Sequence, residues 1–253
     1  MNRDEAWELL NEHTKSGSLL KHALAVEAAM RHYAAKLGED AEQWGVTGLL
    51  HDFDYERWPG IPDHTQEGAK ILRERGVDEE IVGAILSHAE WNQGDYPLDR
   101  PIRKALFAVD ELCGFIVAVA YVRPEKLGGM TPKSVRKKMK AKGFAAAVKR
   151  EDIVRGAELM ETELNDHIAE VIAALQATDG VEDVHHVHLW QMQEDAAALD
   201  CHVVLTAAGW GRLEAIKSEI KARLAARFDI THSSLEFEHE ARCGRDARLY
   251  GHG

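Results

Sequence analysis

The chain has 253 residues, 45% hydrophobic and 29% charged, enough for one large domain or two unequal ones with real cores. Cys113, Cys201 and Cys243 are an odd number at wide spacings, which excludes a disulfide framework or an all-cysteine zinc site. A formal net charge of −12 argues against binding a nucleic-acid polymer or an anionic membrane. The acidic start MNRDEAWELLNEHTK has no apolar signal segment, and the longest charge-free run, Leu112 to Val122, falls short of the ~20 residues that span a bilayer. A soluble, cytoplasmic protein is expected.

From Met1 to about Val122 apolar residues recur at three and four: Leu19, Val26, Ala29 and Tyr33; Ile81, Ile85 and Leu86; Leu106, Val109, Cys113 and Ile116. Gly and Pro punctuate the segments at Gly38, Gly45, Pro59-Gly60, Gly76, Gly94, Pro97 and Pro101. This half reads as an all-α bundle. A loop follows from Arg123-Pro124 to Thr131-Pro132. Then come the basic stretch KSVRKKMKAK and a helical stretch from about Ala145 to Ala177. After Gly180 the period changes from 3.6 to 2. Residues 185–190, 199–205 and 231–238 alternate as strands, and 211–227 is an amphipathic helix. The order helix-strand-strand-helix-strand predicts a small α+β sandwich, αββαβ. The tail from Ala241 lacks periodicity and is expected to be loose.

Four polar residues stand on apolar helical faces. His22 shares a face with Leu19, Val26 and Ala29. His51-Asp52 ends the segment VTGLL, and Asp110 lies among Leu106, Cys113 and Val117. A carboxylate on such a face is costly unless it is paired or holds a cation. Two His and two Asp meeting in a bundle core suit a divalent Fe, Mn, Ni, Co or Zn ion. The plainer alternative is four satisfied polar residues near helix ends.

His22, His51-Asp52 and Asp110 resemble the H…HD…D signature of the HD-domain metal-dependent phosphohydrolases. KHALAVEAAMRHYA, GLLHDFDYE, DHTQEGAKILRERGV and KALFAVDELCGFIVAVAYVRP are similar to the HDIG-type members, although His51-Asp52-Phe53-Asp54 stands where the literal string would be. The resemblance covers about residues 1–160. It implies a helical bundle with a central metal, a second metal held by His64 and His88, and Asp52 between the two. The segment from His88 to Pro97 is similar to the HHE…DG.GYP element of cyclic-dinucleotide phosphodiesterases, but it carries Ala89 for the second His and Asp95 for a Gly. Asp52, with Asp54 and Glu56 as proton-transfer groups, forms the expected catalytic set. Tyr55 and Trp58 read as substrate-flanking or as core. The basic residues Lys133, Arg136, Lys137, Lys138, Lys140 and Lys142 read first as a solvated face and second as a steering patch.

Seven of the 14 His follow residue 176. Alternation puts His186, His188, His202 and His232 on one face of the small sheet, within reach of a shared metal. GVEDVHHVHLW, LDCHVVL and FDITHSSLEFEHEARC resemble the cytoplasmic C-terminal domain of cation diffusion facilitator transporters, over roughly 163–243. That implies a ferredoxin-like fold lacking one strand, dimerisation, and zinc or a similar ion on His188, His202 and His232, with His239 and Cys243 as weaker ligands. The chain is expected to divide at 1–162 and 163–253, with the helix near 164–177 shared. The expected function is a phosphohydrolase acting on a small phosphomonoester or nucleotide, homodimeric through a metal-sensing C-terminal domain. The alternative is a non-enzymatic metal-binding regulator or metal buffer with a vestigial HD site.

Overall fold

The computed structural model describes residues 1–176, 181–193, 196–205 and 232–239, with helical residues at 210, 213–214, 216–218 and 220–221. Contacts divide the chain into Met1–Ala177 and Thr178–Gly253.

The first unit is helical: α1 Arg3–His13, α2 Gly17–Leu37, α3 Ala41–Leu50, α4 Asp63–Glu74, α5 Glu79–His88, α6 Pro101–Tyr121, α7 Pro132–Met139, α8 Arg150–Leu159 and α9 Leu164–Gln176, with a 3-10 turn at Glu90–Asn92. Local sequence sets the ends. Asn2 and Glu5 form a capping box on α1, Asp40 and Asp78 cap α3 and α5, and Pro101 opens α6 at its first turn. The α2 and α6 helices supply the largest core, which holds Val26, Met30, Tyr33, Leu106, Phe115 and Ile116. A second core joins α1, α3, α4 and α5 through Leu9, Leu49, Phe53, Leu72 and Ile85. Gly48 makes the α2–α3 approach possible. A Cβ there would lie 2.9 Å from the Val26 carbonyl oxygen, so only glycine lets α3 bring His51 this close to α2.

The stretch expected as one helix from 145 to 177 is two. Residues 142–148 are turns and a bend, with Ala145 at φ 43°, and Glu161 at φ 52° separates α8 from α9. α9 packs within the helical unit. Ile168, Val171, Ile172 and Leu175 join its main core. His167 is fully buried; its Nε2–H donates to the Ala108 carbonyl at 2.9 Å, and its Nδ1 accepts from the Tyr33 hydroxyl at 2.6 Å.

The second unit holds a three-stranded sheet of β1 Val181–Gln193, β2 Ala196–Leu205 and β3 His232–His239, ordered β1-β2-β3. β1 and β2 are antiparallel, and β2 and β3 are parallel. A parallel pair needs a crossover, and the helical residues between 210 and 221 lie in that connection. Val203, Leu205 and Ile216 form its core with Leu235 and Phe237, while Ser234 and Glu236 are exposed, as period-2 alternation requires. Cys243 and the rest of the tail lie outside the described residues. No helix among the described residues is long and apolar enough to cross a membrane.

Candidate metal centre

Four residues from three elements converge on one point. His22 comes from the second turn of α2, His51 and Asp52 from the turn closing α3, and Asp110 from the middle of α6. His22 Nε2 is 3.1 Å from His51 Nε2 and 3.0 Å from Asp110 Oδ1. His51 Nε2 is 3.4 Å from both Asp110 Oδ1 and Asp52 Oδ2. Atoms bound at about 2.1 Å to one ion stand about 3.0 Å apart when cis in an octahedron and about 3.4 Å apart in a tetrahedron. These separations are of the size that such edges have, and His22 Nε2 and Asp52 Oδ2 stand wider, at 3.9 Å. Beside it, His64 Nε2 and His88 Nε2 each lie 3.3 Å from Asp52 Oδ1. The two clusters, His22/His51/Asp52/Asp110 and Asp52/His64/His88, share Asp52 through its two oxygens.

The far sides of the rings fix their orientation. His51 Nδ1–H donates to the Gly48 carbonyl at 2.7 Å, His88 Nδ1–H to the Ile85 carbonyl at 2.6 Å, and His64 Nδ1–H to Asp54 Oδ1 at 3.0 Å. Each bond leaves Nε2 aimed at the centre, the arrangement that orients metal-bound imidazoles. The donor set of imidazoles and carboxylates fits a divalent transition ion. In the metal-free protein the same closeness moves protons. Burial penalises the Asp52 and Asp110 carboxylates, but the facing imidazoles outweigh it and hold both well below the usual carboxylate range. Burial likewise opposes charge on His64, yet its bonds to Asp52 and Asp54 push its pKa up to about 9.

Asp54 and Glu56, expected as proton-transfer groups, do not line the cavity beside the clusters. Asp54 is buried and saturated by His64, the Thr65 amide at 2.8 Å and the Gly68 amide at 2.9 Å. A Cβ on Gly68 would sit 2.8 Å from Asp54 Oδ2, so glycine is required there too. Glu56 accepts the Lys15 and Ser16 amides at 2.8 and 2.9 Å and ties the α1–α2 turn. The other carboxyls that line the cavity are Glu90, Glu111 and Asp152; Glu111, next to Asp110 in the chain, is pushed up to about 7 by burial and by that neighbour. Its place directly after a ligand was visible in the sequence, but its burial was not.

The cavity measures about 550 Å³. Tyr55 and Trp91 flank His64 edge-on, with ring centroids at 5.1 and 6.0 Å. Trp58 does not line it and instead lies under the Arg57 guanidinium at 4.6 Å. None of Lys133, Arg136, Lys137, Lys138, Lys140 or Lys142 lines it. The lining cations are Lys149 and Arg155, both outside that basic run.

In the sheet, the register gives positions for the C-terminal histidines, whose side chains lie outside the described residues. Alternation along β1 is interrupted by a shift between His185 and His188. His185, and not His186, therefore stands opposite His202, while His188 stands opposite Asp200. His232 pairs with Ala198, four residues from His202 and about 13 Å along the strand, so those two are neither opposite nor diagonal neighbours. His239 closes β3 opposite Leu205.

Two family models match the chain: the HD domain over residues 19–120 and the cytoplasmic domain of cation efflux proteins over residues 164–240. The chain carries both domains in one polypeptide. The metal cation efflux system protein CzcD of Cupriavidus metallidurans is 39% identical over 71 residues, 28% of this chain and 22% of that protein. The cadmium, cobalt and zinc/H(+)-K(+) antiporter of Bacillus subtilis is 31% identical over 85 residues, 33% of this chain and 27% of that protein. The chain thus spans about a quarter of the length of these curated relatives. The HD domain of the L. monocytogenes phosphodiesterase PgpH, a crystal structure, is 15% identical, with 67% of this chain and 95% of that chain covered and a TM-score of 0.37.

Proposed function

We propose that the HD-domain unit is a metal-dependent phosphohydrolase acting on a phosphomonoester or nucleotide, and that the C-terminal unit is a ferredoxin-like, zinc-responsive module that makes the protein a homodimer in the cytoplasm. The observation that carries the reading is the convergence of His22, His51, Asp52, Asp110, His64 and His88 on two points that share Asp52, with imidazole Nε2 atoms facing inward.

His22, His51, Asp52 and Asp110 would hold one ion, and Asp52, His64 and His88 a second. Bound there, a divalent cation supplies Lewis acidity and lowers the pKa of a water molecule. The protein's own groups do the rest. Lys149 and Arg155 offer charge to the phosphate across the cavity. Tyr55 and Trp91 present ring faces and edges to the remainder of the substrate. Glu111 lies beside the ligands as the carboxyl placed to exchange a proton with the leaving oxygen.

The test is metal analysis of the purified protein, followed by a panel of phosphomonoesters and nucleotides. Asp52→Ala should lose most of the bound metal and all hydrolysis above background while remaining folded; Glu56→Ala should hydrolyse like wild type. A fully metallated Asp52→Ala variant, or a metallated wild type inactive on the whole panel, ends the phosphohydrolase reading; the latter result is what the regulator alternative requires.

A further inference from the structure

The two histidines of the second cluster belong to different elements. His64 lies at the start of α4 and His88 at the end of α5. One buried side chain joins those ends. Asn92 Nδ2 donates to Thr65 Oγ1 at 2.8 Å, one residue from His64, and to the Leu86 carbonyl at 3.0 Å, two residues from His88. Its Oδ1 accepts from Gln66 Nε2 at 2.6 Å. The carboxamide suits the place because it offers two hydrogens and one acceptor, and all three are used. Leu86 lies in the last turn of α5, where carbonyls lack a helical partner.

The α4 end is held in a conformation it would not choose. His64 has ψ 135° and Thr65 has φ 67°, a break inside α4. A β-branched residue at that φ is strained and persists only where its surroundings over-determine it. Here Asp54 accepts the Thr65 and Gly68 amides and also the His64 Nδ1–H, while Asn92 donates to the Thr65 hydroxyl oxygen. Trp91, next to Asn92, rests its ring against His64.

We propose that Asn92 is a positioning residue for the second metal cluster: by joining Thr65 to Leu86 it holds His64 and His88 at the spacing at which both reach Asp52. This rests on the two-cluster reading above. Asn92 and Thr65 touch no metal, so their effect falls on the second ion and not on the first, whose ligands come from α2, the α3 turn and α6.

The test is calorimetric titration of the metal-free protein with Mn2+. Wild type should bind two equivalents. Asn92→Ala should leave the first unchanged and weaken the second about 10- to 100-fold, the usual cost of removing a group that orients a ligand. Thr65→Val, which keeps the branch and deletes the hydroxyl, should do the same; Thr65→Ser, which restores it, should bind as wild type. The Thr65 pair carries the test should Asn92→Ala fail to fold. Two unchanged equivalents in Asn92→Ala and Thr65→Val overturn the proposal and leave the two-cluster reading standing. Equal weakening of both equivalents overturns it as general loosening. A single equivalent in wild type removes the second cluster, and the proposal with it.

Discussion

The helical unit and the C-terminal sheet are both rich in histidine, and they use it differently. In the helices, His22 and Asp110, 88 residues apart in the chain, stand 3.0 Å apart in space. In the sheet, His202 and His232 are only 30 residues apart, yet their register holds them about 13 Å apart along the strand. A bundle core points side chains from several helices at one centre. A sheet spaces its residues in steps of about 3.3 Å, and a single bulge reassigns every partner beyond it. Histidine count therefore says little about a metal centre; convergence decides it.

The sharpest way to break this contrast is to move the boundary between the two units. α9 falls within the cation-efflux match but packs in the helical core. A chain ending at residue 177 should fold and hold metal as the full protein does. A chain ending at 162 loses burial of Ile168, Val171, Ile172 and Leu175, at ~1.5–3 kcal/mol each. It also leaves Tyr33 and the Ala108 carbonyl without His167. That sum rivals the whole stability of a domain, so the shorter fragment should be unfolded by circular dichroism. Equal melting of the two fragments would place α9 with the sheet.

A smaller effect separates the metal-free centre from the metal-loaded one. His64 sits at about pKa 9 in the folded metal-free protein, against about 6.5 when unfolded. A raised histidine stabilises fully below the unfolded pKa, and that contribution disappears as pH rises through the folded value. Metal-free protein should therefore lose on the order of 3 kcal/mol between about pH 6.5 and 9. Protein saturated with a divalent ion, which needs Nε2 deprotonated, should not show this loss. Denaturant titrations across that window, with chelator and with metal, check it; parallel curves would show that His64 does not face the ion.

The smallest effect concerns the sheet. His202→Ala/His232→Ala should leave metal in the helical unit and basal hydrolysis unchanged while removing any response of activity to added zinc. Coupling of this kind is typically worth ~1–3 kcal/mol, a change of roughly 5- to 150-fold. If the double variant responds to zinc as wild type does, the sheet is a dimeriser and not a sensor. A His185→Ala variant sharpens the result, since the register sets His185 opposite His202.

The sequence by itself determined the division into a helical half and a strand-containing end, because periods of 3.6 and 2 are local properties of the chain. It also carried the candidate cluster His22, His51, Asp52 and Asp110, because these are polar residues in otherwise apolar helical stretches, where they are costly without a partner. It could not assign Asp54, Glu56 or Glu111. All three carboxylates lie close to ligands in the chain, and only packing turns Asp54 behind His64, Glu56 onto the α1–α2 turn and Glu111 into the cavity. Lys149 and Arg155 were hidden for a similar reason: the longer basic run at 133–142 is the stronger charge signal, but the fold leaves it off the cavity wall. The break at Thr65, the bulge between His185 and His188 and the packing of α9 were decided by tertiary structure alone. Each depends on hydrogen bonds or burial supplied by residues far along the chain, and no local propensity encodes a partner that the fold has yet to bring near.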